Sequence, residues 1–156
     1  MDRIVRLYDL PKIDTQLNRL KKEGINIRRA MAYEKSIVTD WVYKHFSKEW
    51  SDECSVSFSN HPISCFIATK EGEILGFACY ESTCKNFFGP IGIDTSMRES
   101  GIGKALLLSS LYAMREMRYA YAIIGGGDRV EGFYESVGAR KIEGSEIGIY
   151  RDFLNR

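Results

Sequence analysis

The sequence has few histidines and no closely spaced pair of cysteines. It has two histidines, and neither lies at a metal-site spacing from any of the four cysteines, which form no C-x-x-C pair. We therefore expect no bound metal. The cysteines are predicted to be free, buried thiols at Cys54, Cys65, Cys79 and Cys84.

Long apolar runs are also missing. No stretch approaches the length that spans a bilayer, and the opening MDRIVRLYDLPK carries charges where a secretion signal has an apolar segment. We therefore expect a cytoplasmic protein with no membrane partner.

Neither sign of charge is in excess, since 22 Lys and Arg residues stand against 21 Asp and Glu residues, for a net charge of +1. This balance gives no reason to expect nucleic-acid binding, so any anion site must be local. A chain of 156 residues, 44% of them hydrophobic, is typical of one soluble globular domain with a single sizeable core.

The first part of the chain alternates between strand and helix patterns. A strand at 3–10 is followed by a helix at 13–24, which ends on the capping glycine Gly24. Another strand at 25–31 precedes two amphipathic helices. These helices are predicted at 33–46 and 47–60, with Ser47 as the N-cap of the second.

The second part begins with three apolar, β-branched or aromatic runs between residues 63 and 94. Only the short turns KEGE and TCKN separate them, which predicts an antiparallel meander. A helix at 101–117 and a buried strand at 119–124 then form a β-α-β crossover, so the fold class is mixed α+β. The remaining elements are a short helix at 131–138 and two strands near 139–143 and 148–153.

A glycine-rich, basic corner lies between the third of these runs and the long helix. Arg98, Gly101, Gly103 and Lys104 form the pattern R-x-x-G-x-G-K. A helix N-terminus exposes unpaired backbone N–H groups, and glycines let a phosphate approach them closely. The corner therefore either holds an anion such as a diphosphate or only turns the chain.

Two common nucleotide motifs fail at this corner. The third glycine of a dinucleotide-binding fingerprint is missing, and so is an acidic residue at the end of a following parallel strand. A Walker loop requires G-K-[ST], whereas Gly103 and Lys104 are followed by Ala105.

Five segments in order resemble the core of the GNAT superfamily of N-acetyltransferases. They are FFGPIGID, the glycine corner, GKALLLSSLYAMREM, YAYAII and FYESVGA. The resemblance covers about residues 25–153 and implies a single domain at 25–156, with a mostly antiparallel mixed sheet flanked by helices. Residues 1–24 would be an additional strand and helix packed on that core.

The resemblance implies acetyl-CoA, or a close acyl-CoA, as the donor. In the family the diphosphate lies on the amides of the corner, and the pantetheine arm pairs with the backbone of a strand that splays from its neighbour, much as in strand addition. The residues implied for the cofactor are Ile91, Gly92 and Ile93 on the strand and Arg98, Glu99, Ser100, Gly101, Ile102, Gly103 and Lys104 at the corner.

Attack of an amine on a thioester needs a base for the amine and an acid for the departing thiolate. Tyr134 matches the tyrosine that the family often uses as the acid; the alternative is a packing aromatic. Glu81 is predicted as the base, on the expectation that it lies across from Gly89 at the mouth of the splayed strands; a solvated carboxylate or a water chain is the alternative. Asp128 occupies the position where the family often has an asparagine, so the role of that asparagine is not assigned to Asp128.

The acceptor site is expected in residues 33–60. The aromatic candidates for an apolar pocket are Trp41, Tyr43, Trp50 and Phe58, with Trp41 more consistent with the core. Asp52 and Glu53 either attract a cationic amine or lie on an exposed helix face. Nothing in this segment resembles a groove for a long peptide.

The sequence thus predicts an N-acetyltransferase that transfers an acetyl group from acetyl-CoA to a small-molecule amine. An acyl-CoA sensor of the same fold and an interaction domain with an empty corner are the alternatives. A homodimer is expected if the first strand, at 3–10, lies exposed at a sheet edge.

Overall fold

The computed structural model describes residues 1–126 and 130–155, and within them seven strands form one sheet flanked by four α-helices. The strands are β1 (Arg3–Arg6), β2 (Asn26–Arg29), β3 (Cys65–Lys70), β4 (Glu73–Tyr80), β5 (Phe87–Ile93), β6 (Tyr121–Ile124) and β7 (Arg140–Lys141). The helices are α1 (Asp14–Lys22), α2 (Lys35–His45), α3 (Lys48–Ser57) and α4 (Ile102–Glu116). Among these residues no helix combines the length and the apolar character needed to cross a membrane.

The strand order is β2-β3-β4-β5-β6-β1-β7, and β5 and β6 run parallel while the other neighbours described here run antiparallel. The predicted meander is β3-β4-β5, and the predicted crossover is β5-α4-β6. Both are confirmed, as is the α+β class.

Helices cover both faces of the sheet because the central strands are apolar on both. In β4, Ala78 and Tyr80 face the core around α4, whereas Phe77 and Cys79 face a second core beneath α2 and α3. This alternation is the period of two that a strand imposes. The first helix, α1, packs on the α4 side.

The N-terminal strand lies inside the sheet. β1 pairs with β6 on one side and with β7 on the other, so the sheet continues across the predicted boundary at residue 24. The expectation of an exposed edge at 3–10 is therefore wrong, and the predicted homodimer loses the argument on which it was based.

The C-terminal part differs most from the sequence prediction. The helix predicted at 131–138 is reduced to a 3-10 turn at Glu135–Val137, which ends at Gly138 with a φ of 88°. The strand predicted near 139–143 is only Arg140–Lys141, and residues 148–153 form no strand.

The predicted N-cap of α3 is confirmed, because the Ser47 side chain accepts a hydrogen bond from the Trp50 N–H.

Candidate active site

A splay between β5 and β6 leaves one edge of β5 open. The two strands pair only at Phe87 with Ile123 and Phe88 with Ile124, while β5 continues to Ile93. Just after β5, the Asp94 N–H points towards β4 and donates a hydrogen bond to the carbonyl of Leu75, with an N···O distance of 2.8 Å. Because backbone groups alternate along a strand, the N–H and C=O groups of Ile91 and Ile93 point to the open edge.

A bulge in β5 accompanies this splay. Tyr80 pairs with Phe88 and Ala78 with Ile91, so two residues of β5, Gly89 and Pro90, oppose a single residue of β4. Gly89 has a φ of 120°, which favours glycine, and proline has no N–H to contribute to a ladder. The bulge bends β5 at the point where its pairing with β6 stops.

The glycine corner begins immediately after β5. Asp94 caps a 3-10 turn at Thr95–Met97 by accepting hydrogen bonds from the Ser96 N–H and Oγ, which hold the pKa of its carboxyl below the usual value. The chain then reaches Gly101, which precedes α4 in the left-handed region with a φ of 88°.

Helix α1 supports the corner from outside. Gln16 donates to the Gly101 carbonyl at 2.8 Å, and Arg19 donates to the Ser100 carbonyl at 2.9 Å. A Cβ at Gly101 would overlap the Arg19 guanidinium, so close packing of α1 requires glycine there in addition to the backbone conformation. No local pattern in the sequence predicts this contact between α1 and the corner.

The first turn of α4 presents an anion-binding end to the corner. The Ala105 N–H donates to the Gly101 carbonyl at 3.1 Å, so the backbone N–H groups of Gly103 and Lys104 precede the regular helical bonding. The positive end of the helix dipole and the side chains of Arg98 and Lys104 add to the same potential.

One cavity of about 900 Å³ joins these features. At one end lie corner residues, including Arg98, Glu99, Gly101, Gly103 and Lys104. Its middle is residues 89–93 of β5, and β5 from Phe87 to Ile93 spans roughly 20 Å at about 3.3 Å per residue. Of the residues predicted to bind the cofactor, all except Ser100 and Ile102 line this cavity.

Tyr134 lines the same cavity on the α4 side of the sheet. Its ring lies edge-on to Phe133 and Phe88, and the Arg3 guanidinium is 5.9 Å from the ring centre. Burial raises the pKa of Tyr134 to about 12, while the charge of Arg3 acts in the opposite direction. The phenol is therefore protonated at neutral pH.

Glu81 does not line this cavity, and its predicted position across from Gly89 is wrong. The bulge shifts the register so that Glu81 pairs with Phe87 instead of Gly89, its N–H donating to the Phe87 carbonyl at 2.9 Å. Its carboxylate accepts hydrogen bonds from the Asn86 N–H and the Tyr119 hydroxyl, within the β4–β5 turn. It borders a separate small pocket beside Asn60 and His61.

The opposite end of the cavity is formed by the segment predicted for the acceptor. Trp50 and Glu53 line it, and the Thr83 hydroxyl donates to the Glu53 carboxylate at 2.8 Å. Asp52, the other predicted carboxylate, is exposed on α3. Tyr43 is exposed, and Trp41 and Phe58 pack on the core beneath α2 and α3.

Sequence reasoning missed several residues at this end, chiefly Phe46, Phe87 and Tyr150. Phe46 follows α2 and lies over Gly92, where a Cβ would overlap its ring, so Gly92 is a packing requirement as well as part of the β5 strand. Tyr150 belongs to the segment predicted as a strand. Asp128 lies outside the described residues.

The cysteines are free, as predicted, and three of them meet. The Sγ atoms of Cys54, Cys65 and Cys79 lie within 4.8 Å of one another in the core beneath α3, while Cys84 is partly exposed. Their spacing along the chain does not predict this cluster. Packed as small apolar side chains, they fix α3 on β3 and β4.

Comparison with known proteins identifies the architecture. A model of the acetyltransferase (GNAT) family matches residues 32–139. Among solved structures, a GCN5-related glucosamine N-acetyltransferase region of a fungal multi-domain enzyme superposes with a TM-score of 0.69 at 16% identity. GCN5-related N-acetyltransferases from Sphaerobacter thermophilus and Kribbella flavida give TM-scores of 0.61 and 0.57 at 16% and 14% identity.

Each of these three superpositions covers 89% of this chain. They cover 19% of the fungal chain, 47% of the Sphaerobacter chain and 52% of the Kribbella chain. No curated protein sequence matches this chain. At these identities the likeness establishes the fold alone.

Proposed function

This chain belongs to the GNAT acetyltransferase family, and on that premise we propose that it transfers an acetyl group from acetyl-CoA to the primary amine of a small molecule. The observation that carries the proposal is the cavity that joins the glycine corner, the open edge of β5 and Tyr134.

The shape and charge of the cavity support acetyl-CoA as co-substrate. The N–H groups of Gly103 and Lys104, with the cationic side chains of Arg98 and Lys104, would hold the diphosphate. Glu99 would contribute only backbone, since its carboxylate repels phosphate. The backbone groups of Ile91 and Ile93 would pair with the amides of the pantetheine arm as an added strand.

Tyr134 is the proposed acid. The neutral amine forms a bond to the thioester carbon as the carbon–sulfur bond breaks, and the amine proton passes to water. The Tyr134 hydroxyl protonates the departing thiolate and regains a proton from solvent. Because its pKa is about 12, the phenol holds this proton throughout the physiological range, although it must transfer it as the sulfur becomes basic.

Water is the proposed base, because Glu81 is engaged in its own turn. Glu53 lies on the α3 side of the sheet, whereas Tyr134 lies on the α4 side. Both line the cavity, so the reacting carbon would lie in the gap between β5 and β6, with the acceptor entering from the α3 side.

A thiol-release assay with acetyl-CoA and an amine library, together with calorimetric titration of CoA, tests this proposal. We expect CoA to bind and free thiol to appear only when an accepted amine is present. Binding without turnover across the library would favour the alternative, an acyl-CoA sensor. Absence of CoA binding by the folded protein would overturn both.

A further inference from the structure

The acceptor end of the cavity differs in charge from the cofactor end. The cationic side chains that line the cavity in the described residues, Arg98 and Lys104, are both at the corner. Among the described residues, the far end is lined by Glu53 and by no lysine or arginine. The described part of the lining is thus positive where a diphosphate would bind and negative where the acceptor would bind.

Glu53 is built into this end. It is half-buried, and the Thr83 hydroxyl fixes one of its oxygens at 2.8 Å. Its charge, with that of Asp2, acts on Tyr150, whose pKa is raised mainly by burial and further by these two carboxylates. The neighbouring surface is aromatic, from Trp50 and Phe46, whose ring centres are 5.3 Å apart.

A carboxylate at this end of the cavity is suited to bind an acceptor group that stays protonated during the reaction. A carboxylate near the attacking nitrogen either takes its proton as a base or holds it protonated, whereas a carboxylate that binds a second nitrogen acts on a group that never has to lose its proton. Glu53 lies on the opposite face of the sheet from Tyr134, away from the proposed leaving group. Its charge is therefore best matched by a second cationic group of the acceptor.

We propose that the acceptor is a compact organic dication, such as a diamine, with one amine acetylated in the gap between β5 and β6 and the other bound by Glu53. The apolar chain between the two amines packs on Trp50 and Phe46, where the ring faces also attract cations. This inference rests on the proposed function and adds the substrate class. Glu53 is accordingly a specificity-determining residue.

Three substrates matched in length test the proposal directly: a diaminoalkane, the corresponding monoaminoalkane and the corresponding amino acid with a terminal carboxylate. With chains of two to five carbons, we expect the diamine to have the highest kcat/KM and the amino acid the lowest. Glu53→Gln should raise the KM of the diamine at least tenfold, reduce its preference over the monoamine, and leave the acetyl-CoA KM unchanged.

Asp52→Asn is the matched control, because it removes the same charge from the adjacent, exposed position of α3. It should leave the substrate order intact. Turnover that favours neutral or anionic amines, or that ignores diamines of every length, would overturn the dication while leaving the acetyltransferase proposal standing. An equal loss in both variants would show a general charge effect and overturn the role of Glu53. Failure to bind CoA would instead reject the proposed function.

Discussion

At the scale of single residues, the site depends on side chains whose environments differ sharply. Tyr134 is buried against Phe88 and Phe133, so its phenol stays neutral, whereas Glu53 is half-buried and fixed by a single hydroxyl. A neutral phenol can give a proton to a thiolate, and a fixed carboxylate can bind a cation. Tyr134 is therefore suited to protonate the leaving thiolate, and Glu53 is suited to bind a cationic acceptor.

Tyr134→Phe should lower kcat by about 10²-fold, because it removes the proposed proton donor, and should change the Kd of CoA little. Steady-state kinetics and calorimetry measure the two quantities. Since the pKa of Tyr134 is raised to about 12, the wild type should show no loss of kcat from ionisation of this phenol near pH 10, the usual pKa of tyrosine.

Tyr121→Phe provides the control for this substitution. Tyr121 is 43% exposed, its hydroxyl lies 3.5 Å from that of Tyr8, and it does not line the cavity. If Tyr134→Phe kept the turnover of Tyr121→Phe under conditions where chemistry limits the rate, Tyr134 would be a packing residue.

At the scale of elements, α1 reinforces the corner that begins α4. Gln16 and Arg19 donate to two successive corner carbonyls, so they fix the loop whose amides face the cavity. The Arg19 guanidinium also lies against Gly101. An element outside the matched family region thus contributes to the proposed cofactor site.

Arg19→Ala should weaken CoA binding about threefold to tenfold, because it removes a corner hydrogen bond and a partly exposed charge. Calorimetry measures this change. Arg6→Ala is the matched control: Arg6 is similarly exposed and likewise pairs with a nearby carboxylate, that of Asp9, but it lies on β1 and donates no hydrogen bond to the corner. Equal affinities for the two variants would contradict the contribution of α1.

Elements with local signals were predictable from the sequence, and long-range pairings were not. The apolar periodicity of α4, the serine cap of α3 and the short turns of the β3-β4-β5 meander are encoded within a few residues of one another. The position of β1 between β6 and β7 depends on partners more than a hundred residues away. No nearby residue signals that pairing.

The residues of the candidate site were also predictable only where the sequence carries a local signal. The corner and Tyr134 carry a recognisable order of motifs, so the resemblance located them. Glu81 was misplaced because a bulge of one extra residue shifts the register of β5, and nothing short of the pairing itself reveals that shift. Phe46 was missed because its role depends on Gly92, a residue on a different element.

At the scale of the whole molecule, the fold creates one long cavity by separating two parallel strands. The sheet is continuous from β2 to β7, yet β5 and β6 pair at only two positions before they diverge. This divergence leaves the backbone of Ile91 and Ile93 without a strand partner from β6. We propose that the pantetheine arm of acetyl-CoA completes the sheet at this edge.

Amide hydrogen exchange measured by NMR, in the presence and absence of saturating CoA, tests whether the pantetheine arm pairs with β5. We predict that the amides of Ile91 and Ile93 exchange more slowly with CoA bound, because the pantetheine arm accepts and donates hydrogen bonds at the open edge. The Gly92 amide faces β4 and is the internal control, with little change expected. Unchanged exchange at Ile91 and Ile93 in the CoA-saturated protein would contradict the account.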